Sequence, residues 1–210
     1  MREKKVMTIQ DISCVGQCSL TVALPIISAC GIETAILPSA VLSTHTGFQG
    51  FTFHDLSDDI QAIANHWKNE KICFDAIYSG YLGSVRQVDD VIALMNTLLT
   101  ENGEKIVDPA MADNGKLYTG FDQVFVQAMK RLCGQADVIL PNITEAALLT
   151  DSEYCMDNHS SEYIEHLLRK LGELGAKTVI LKGVMDRAGQ IGVIVYDVAS
   201  KEKLSYYTKK

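Results

Sequence analysis

The sequence predicts an α/β domain built on a mostly parallel β-sheet with helices on both faces. From residue 74 onward, short β-branched or apolar runs alternate with longer segments whose apolar residues recur at helical spacing. Gly103, Gly134 and Gly175 each follow a segment of the second kind, where helix C-termini favour glycine. Strands that alternate with helices pair in parallel, because each helix returns the chain to the same end of the sheet.

The N-terminal part of the chain is predicted to start with a strand at residues 6–10, a polar loop at 11–17 and a helix at 19–30. Ser19 is a suitable N-cap, and Gly31 stands just past the predicted helix end. Pro25 within this segment indicates a kink or a late helix start, and the boundary stays open. Residues 41–53 have the hydroxyl-rich, glycine-rich and aromatic composition of an exposed loop or an edge hairpin.

The remaining elements alternate regularly along the chain. The predicted strands are 34–38, 74–78, 105–108, 138–140 and 177–182, and the predicted helices are 58–67, 84–100, 121–133, 143–149 and 160–172. Residues 192–207 alternate as two antiparallel strands joined at 199–201.

Composition is that of a globular protein, and we expect a single domain over residues 1–210. Hydrophobic residues make up 47% and charged residues 21% of the chain. The net charge of −7 disfavours nucleic acid as a partner, because phosphate binding needs a basic face. No apolar run reaches the roughly 18 residues that span a bilayer, and no apolar segment follows the charged N-terminus. Neither a membrane span nor a signal peptide is therefore expected.

Cysteine usage indicates a reducing compartment. The six cysteines, at positions 14, 18, 30, 73, 133 and 155, include no C-x-x-C pair and lie mostly inside apolar segments. We expect buried free thiols rather than a metal site, and a cytoplasmic location.

Polar residues follow four of the predicted strands at the point where each strand ends. Gln10-Asp11, Ser79-Gly80-Tyr81, Asp108, and Asn142 with Glu145 occupy these positions. A single residue of this kind ordinarily belongs to a turn or cap. For Asp108 alone, a turn cap and a ligand-binding residue at the edge of the sheet are equally good interpretations. Because the carboxyl ends of parallel strands share one edge of a sheet, the four positions together favour a ligand pocket.

The run P-N-I-T-E at 141–145 permits two interpretations that are compatible. Asn142 and Glu145 have the spacing of a helix capping box, in which each side chain bonds the other residue's backbone N–H. A carboxylate at this edge of the sheet, together with Asp108, also suits Mg²⁺ held through water beside phosphate oxygens.

The common nucleotide and hydrolase signatures are absent from the sequence. There is neither a G-x-x-x-x-G-K-[ST] loop nor a G-x-G element, so these motifs do not support ATP or NAD binding. Among the histidines, only His45 lies among small polar residues that could touch a ligand. The residues alone therefore predict an α/β domain with an acidic pocket for a small ligand.

Five motifs, taken together, resemble those of the pyridoxal/pyridoxamine kinases. They are I-Q-D-I-S-C-V-G at 9–16, L-S-T-H-T-G-F at 42–48, Y-S-G-Y-L-G-S at 78–84, V-D-P-A-M-A-D-N-G-K-L-Y at 107–118 and I-L-P-N-I-T-E-A at 139–146. These kinases belong to the ribokinase-like superfamily, which also contains the hydroxymethylpyrimidine kinases. The D-P-x-M-x-D element is shared by both groups, whereas H-T-G-F and S-G-Y-L-G-S resemble the pyridoxal branch.

The resemblance implies a ribokinase-like three-layer α/β/α sandwich with a mostly parallel central sheet. It also implies ATP-dependent phosphorylation of the 5′-hydroxymethyl group of pyridoxal, pyridoxamine or pyridoxine, in the salvage of pyridoxal 5′-phosphate. ATP and Mg²⁺ are the implied cofactors. A vitamin B6 vitamer and ATP are the implied partners of a homodimer, without nucleic acid or membrane.

The resemblance also assigns roles by motif. Asp11, Thr46 and Tyr81 match substrate-binding positions, and Asp11 stands where many relatives have Ser, so it can pair with a protonated ring nitrogen. The ATP-binding and phosphate-binding positions are matched by Asp108, Tyr118, Thr119, Asn142, Glu145 and Lys182, and the metal-binding positions by Asp108 and Glu145.

One element of the superfamily has no match. Towards the C-terminus these kinases have a Gly-x-Gly-Asp turn that forms an anion hole and supplies the catalytic Asp. None of the fifteen glycines here is followed by Asp. We therefore expect the chain to end before that segment, and we assign no catalytic residue within it. A hydroxymethylpyrimidine kinase and a catalytically inactive vitamin-binding fragment remain the alternatives.

Overall fold

The computed structural model describes residues 4–210 and divides into two compact units, the first ending at Ile106 and the second comprising Val107–Lys210. The first unit contains β1 (Lys5–Ser13), α1 (Leu20–Ala29), β2 (Glu33–Leu42), β3 (Phe53–Asp55), α2 (Ser57–Asn69), β4 (Phe74–Ser79), α3 (Val85–Thr97) and all but the last residue of β5 (Leu99–Val107). The second contains β6 (Ala112–Asp113), β7 (Lys116–Leu117), α4 (Gln123–Cys133), β8 (Val138–Ile139), α5 (Ile143–Leu149), α6 (Ser161–Gly172), β9 (Thr178–Val184), β10 (Gln190–Asp197) and β11 (Lys203–Lys209). The single domain predicted from composition stays a prediction.

The first unit is organised around β1, which is central in its part of the sheet. β1 pairs in parallel with both β2 and β4, while β3 pairs antiparallel with the end of β2. Met7, Thr8 and Ile9 of β1 are all fully buried, so both faces of the strand are covered. The end of β4 therefore lies beside the middle of β1: Ile9 is in register with Ser79, and the Ile9 carbonyl accepts from Gly80 N at 2.9 Å.

The second unit combines parallel and antiparallel pairing. β9 pairs in parallel with β8 and antiparallel with β10, which in turn pairs antiparallel with β11. Helices α4 and α6 bury one apolar face each, including Leu132 and Met129 in α4 and Leu167 and Leu171 in α6. Helix α6 packs against β9, and α4 packs against α5, so both helices adjoin elements that carry the charged residues described below.

Several predicted elements are confirmed. Helix α5 has the predicted bounds, residues 41–53 include the β2–β3 edge pairing, and the last two strands pair antiparallel. Ser19 is at the N-cap position of α1, although its side chain makes no capping hydrogen bond, and Gly31 past the helix end has φ +75°. Among the described residues, no helix is long and apolar enough to cross a membrane.

Two predicted boundaries are wrong. Residues 11–13 belong to β1 rather than to a loop, because Ile12 and Ser13 continue the pairing with β2 after a bulge. The helix predicted to reach Thr100 ends at Thr97, and Gly103 lies inside β5 instead of at a helix end. Glycine is suited to that strand position because a Cβ there would lie 3.1 Å from the carbonyl oxygen of Phe74.

The cysteines are free, as predicted, but most of them are not buried. Cys133 in α4 is buried, whereas Cys14, Cys30 and Cys73 are exposed. The prediction was wrong for these three because each lies at the end of an element, where an apolar neighbourhood in sequence does not ensure burial.

Gly175 provides a test of the packing in the second unit. It has φ +126°, and a Cβ there would lie 2.9 Å from the carbonyl oxygen of Gly134. Gly175→Ala should therefore lower the free energy of unfolding by about 3 kcal/mol, from backbone strain and the clash together. Gly189 has φ +68°, and a Cβ there would meet nothing within 4 Å, so Gly189→Ala should cost about 1 kcal/mol. Urea unfolding measures both, and equal losses would contradict the clash.

Candidate functional site

Asp108 and Lys182, a residue of β9, form an ion pair in the second unit. The Nζ of Lys182 lies 2.6 Å from Oδ2 of Asp108, and the side chains are 33% and 18% exposed. Pro109 ends the strand directly after Asp108, since proline cannot donate to a strand ladder. The two residues are 74 positions apart in sequence. They meet because Leu140 N bonds the carbonyl of Val107 and β8 then pairs in parallel with β9.

Glu145 is the buried centre of the site, with 1% of its surface exposed. Its Oε2 accepts from Asn142 N at 2.8 Å, and Asn142 Oδ1 accepts from Glu145 N at 2.9 Å. The predicted capping box of α5 is therefore confirmed. The other carboxylate oxygen, Oε1, accepts from Met111 N at 3.2 Å, so Glu145 also fixes the loop that follows Asp108.

The β6–β7 hairpin is attached to the start of α5 by side chains of the same P-N-I-T-E run. Asn142 Nδ2 donates to the carbonyl of Ala112 at 2.8 Å, and Gly115 N donates to Thr144 Oγ1 at 3.0 Å. Tyr118 follows the hairpin, and its N–H bonds the carbonyl of Met111. The N-terminal turn of α5 thus holds the whole 111–118 loop in place.

Burial and like charge dominate the electrostatics of this cluster. Burial, followed by the charge of Asp108, raises the pKa of Glu145 to about 8, although Lys182 and the backbone donors oppose the rise. Burial likewise raises the pKa of Asp108, with Lys182 acting in the opposite direction. The pKa of Tyr118 is raised by burial and by the nearby carboxylates of Glu145, Asp113 and Asp108. The cluster therefore has more acidic groups than Lys182 neutralises.

The two carboxylates fit a magnesium ion that keeps most of its water. Within residues 4–210, no group of three or more His, Cys, Asp or Glu side chains is arranged to hold a metal ion. Mg²⁺ is commonly held by one or two carboxylates together with water and substrate phosphates, so a full protein cage is not required. Each oxygen of Glu145 accepts one N–H bond and retains a lone pair for a water molecule.

The first unit contains a second acidic position beside Tyr81. Asp11 is 3% exposed, and its Oδ2 accepts from the hydroxyl of Ser13 at 2.9 Å. Burial raises the pKa of Tyr81 to about 12, with further contributions from the charges of Asp11 and Asp55. The end of β1 and the loop after β4 therefore place an aromatic ring and a buried carboxylate in one neighbourhood.

The structure groups the predicted site residues into two sets. Asp11 and Tyr81 lie near each other in the first unit, and Thr46 is half-buried in the turn after His45, whose Nδ1 accepts from Gly47 N. In the second unit Asp108, Asn142, Glu145 and Lys182 form one cluster, with Tyr118 within electrostatic reach and Thr119 exposed in the next turn. The clustering of polar strand ends is thus observed within each unit.

Sequence reasoning missed the residues that support these loops. No role was predicted for Thr144, Gln87, Asp55 or Ser39. A signal for Gln87 was present: Ser84 and Gln87 have capping-box spacing. The structure differs from a standard box, because the Gln87 side chain accepts from Gly83 N rather than from Ser84 N.

Comparison with known proteins shows the family to which the chain belongs. Residues 29–209 match the family model described as phosphomethylpyrimidine kinase. The chain belongs to the phosphomethylpyrimidine kinase family. The resemblance to the vitamin kinases that the five motifs indicated is thereby confirmed.

Solved and curated relatives of this family member are similar over most of its length. A putative phosphomethylpyrimidine kinase from Bacteroides thetaiotaomicron, in a crystal form with pyridoxal, is 38% identical with a TM-score of 0.93, covering 99% of this chain and 73% of that one. Pyridoxal kinase from Lactobacillus plantarum is 35% identical with a TM-score of 0.86, covering 99% and 73%. Pyridoxal kinase PdxY of Actinobacillus succinogenes is 30% identical, and the match covers 72% of this chain and 54% of the PdxY chain.

These relatives confirm the predicted ribokinase-like α/β fold with its mostly parallel sheet. The chain spans about half the length of the curated relatives it matches, with 48% of the Arabidopsis thaliana pyridoxal kinase and 54% of PdxY covered.

The raised pKa of Glu145 predicts an unusual pH dependence of stability. A carboxyl whose pKa is higher in the folded state binds its proton more tightly there, so stability is greatest at low pH and falls as pH rises from about 4.5 to about 8. Glu145→Gln should flatten this slope between pH 5.5 and 8 in urea unfolding. It should also be less stable at both pH values, because an amide nitrogen cannot accept one of the two backbone N–H bonds.

A matched control is Glu162→Gln in the first turn of α6. Glu162 is exposed, and the hydrogen bond from its own backbone N–H, followed by one from the Ser160 side chain, lowers its pKa below 4.5. Its titration therefore lies outside the pH window, and this variant should keep the wild-type slope. An unchanged slope in Glu145→Gln would contradict the burial and like-charge explanation.

Proposed function

We propose that the protein is an ATP-dependent kinase that phosphorylates the 5′-hydroxymethyl group of pyridoxal, pyridoxamine or pyridoxine. The observation that supports this most directly is the Asp108–Glu145–Lys182 cluster, in which Glu145 is buried and the Asp108–Lys182 ion pair is half-buried. It occurs in a chain 38% identical to a protein whose crystal form contains pyridoxal. Phosphoryl transfer depends on positioning and on charge stabilisation, and this cluster supplies both kinds of group.

The second unit is proposed to hold the nucleotide phosphates. Lys182 supplies a cation on a rigid strand, and its pairing with Asp108 keeps the ammonium group at a fixed place. Tyr118 and Thr119, after the β6–β7 hairpin, are proposed to cover the phosphates, and Asn142 orients this loop through Ala112.

Asp108 and Glu145 are the residues proposed to hold Mg²⁺. When bound, the ion would neutralise charge that accumulates on the phosphoryl oxygens. Glu145 must be ionised for this role, and the two backbone N–H groups that it accepts from favour the ionised form.

The first unit is proposed to bind the vitamin ring. Asp11 is a buried carboxylate whose hydrogen-bond partner is the hydroxyl of Ser13 rather than a cationic side chain. A protonated pyridine nitrogen would provide the charge that this carboxylate lacks. Tyr81 can pack against the ring face or edge, and Thr46 offers a hydroxyl from the neighbouring turn.

A second candidate is a hydroxymethylpyrimidine kinase. The description of the matching family model favours it, since that family is named for phosphomethylpyrimidine phosphorylation. Phosphorylation of pyridoxamine and of hydroxymethylpyrimidine by the same preparation separates the two candidates. A preference for the pyrimidine would overturn the vitamin B6 assignment.

The homodimer and the cytoplasmic location predicted from the sequence belong to this proposal. The exposed thiols of Cys14, Cys30 and Cys73 are compatible with a reducing compartment. Sedimentation of the purified protein over a range of concentrations measures its assembly state.

Asp108 is proposed to act on the phosphate side, so its substitution should separate turnover from vitamin binding. Asp108→Asn should lower the rate of pyridoxal phosphorylation by about 100-fold, while the pyridoxal Kd changes by less than about twofold. Product formation and calorimetry measure the two quantities. Asp137→Asn changes a half-buried carboxylate of the same unit that pairs with the exposed Lys177, and it should leave both quantities unchanged.

Three results would count against this assignment. Equal losses of turnover and pyridoxal affinity in Asp108→Asn would contradict the phosphate-side role of Asp108. Pyridoxal binding by the wild-type chain without any product would support the non-catalytic alternative. Absence of both binding and product would remove the vitamin assignment.

Lys182 provides an independent test of the nucleotide assignment. Lys182→Met should weaken ADP binding about tenfold or more, because a partly buried cation that meets phosphate is lost. Lys177→Met is the matched control: Lys177 pairs with Asp137 just before β9, and its side chain is 80% exposed. Calorimetric titration with ADP should show little change in the control. A loss of the same size in both variants would indicate general electrostatics instead of a phosphate contact.

A further inference from the structure

Gln87 is a highly connected buried polar side chain in the first unit, and no motif or predicted role accounts for it. It lies in the first turn of α3 and is fully buried. A buried amide is costly unless its oxygen and both N–H groups are hydrogen-bonded. The partners of Gln87 therefore indicate what this side chain holds together.

The carbonyl end of the amide anchors the loop that follows β4. Gln87 Oε1 accepts from Gly83 N at 2.7 Å. Leu82, the preceding residue, is fully buried. A side chain at position 83 would meet the Phe53 ring at 3.1 Å, so the site favours glycine there. This end of the 79–84 loop is therefore fixed by Gln87.

The amide nitrogen joins the loop to the edge of the sheet. Gln87 Nε2 donates to the carbonyl of Ser39 at 2.9 Å, and it lies 3.0 Å from both Asp55 Oδ1 and Ser57 Oγ. With two N–H groups and three acceptors, one N–H is shared between acceptors. Ser39 and Ser57 are themselves buried, so the bonds to these two residues lie out of competition with water.

The same network reaches the other end of the loop through Ser39. The hydroxyl of Ser39 donates to the carbonyl of Tyr81 at 2.9 Å. The loop is thus held at two backbone groups, the carbonyl of Tyr81 and the N–H of Gly83. We name this set, Gln87 with Ser39, Asp55 and Ser57, the Gln87 network.

Asp55 connects the network to the charge around Tyr81. Although burial raises the pKa of Asp55, hydrogen bonds from Ser57 and Gln87 outweigh it and hold that pKa below its ordinary value. The ionised carboxylate is one of the two charges that act on the Tyr81 hydroxyl. Gln87 therefore influences both the place of Tyr81 and its electrostatic surroundings.

We propose that Gln87 is a positioning residue that fixes the Tyr81–Gly83 loop and thereby sets the affinity of the first unit for the vitamin ring. The proposal builds on the function proposed above, because it takes Tyr81 as a ring-binding residue. Gln87 itself touches the loop and not the ligand. Its effect is on the preorganisation of the loop, which lowers the conformational cost of binding.

The test uses Gln87→Met, which keeps the length of the side chain and removes all its hydrogen bonds. Hydrogen exchange at the amides of residues 80–84 should become at least about tenfold faster. The Kd for pyridoxal should rise about tenfold, whereas the Kd for ADP should stay within about twofold, since the proposed phosphate residues lie in the other unit.

Gln61→Met is the matched control. Gln61 in α2 also donates its amide N–H to a residue of α3, Asp90 Oδ1 at 2.7 Å, a bond that joins the two helices rather than the loop. This variant should leave both the exchange of residues 80–84 and the pyridoxal Kd unchanged. Ser39→Ala is a second test that retains Gln87 and removes the donor to Tyr81. It should raise the exchange rate and the Kd several-fold in the same direction.

Each outcome decides one question. Faster exchange in Gln87→Met without a change in the pyridoxal Kd would overturn the positioning role, and so would unchanged exchange. Parallel losses for pyridoxal and ADP would indicate a general structural role instead. If Gln87→Met does not fold, unchanged exchange and affinity in Ser39→Ala overturn the proposal. If the wild-type protein does not bind pyridoxal, the proposed function fails. If the wild-type protein binds pyridoxal, the results for the variants test the role of Gln87 alone.

Discussion

The second unit depends on one buried carboxylate, that of Glu145. Removing a carboxylate from water is costly unless its oxygens are hydrogen-bonded or paired with a cation. Here the two oxygens accept backbone N–H groups from Asn142 and Met111, which lie in different segments of the chain. The solvation requirement of a single side chain thus determines where α5 begins and where the loop after Asp108 must run.

The hydrogen bonds to Glu145 do not balance the charge of Asp108, which is nearby. A second carboxylate close to Glu145 disfavours two negative charges, and it is one of the causes that raise the pKa of Glu145. Lys182 neutralises one acid at 2.6 Å but not both. A group of two acids and one base is electrostatically complementary to an additional cation that arrives with an anionic ligand, which is the charge pattern of a metal–nucleotide complex. The same imbalance that costs stability at high pH therefore favours the proposed ligand.

Much of the local structure could be predicted from sequence, because local chemistry determines it. The bounds of α5 and the pairing of Asn142 with Glu145 follow from residues three positions apart. The ion pair of Asp108 with Lys182 joins residues 74 positions apart, and only the resemblance to a family placed both on the phosphate side. Asp11 was assigned to a loop because its polarity resembles that of a turn. Strand β1 continues beyond Asp11, because Ser13 still pairs with β2. The Ser13 hydroxyl donates to the Asp11 carboxylate within the sheet.

The two units keep their buried acids in different ways, and the difference bears on what each can bind. Asp11 in the first unit is balanced by a neutral hydroxyl, so a cationic ring can supply a charge without displacing any protein partner. Glu145 in the second unit has its pKa raised by burial and by the charge of Asp108, so it holds its proton more tightly than a solvated carboxyl does. Glu145 must lose that proton before it can bind a metal ion, so metal binding at Glu145 would be linked to proton release. If Glu145 holds a metal ion as proposed, binding of a metal–nucleotide complex in the second unit would depend on pH through the raised pKa of this carboxyl.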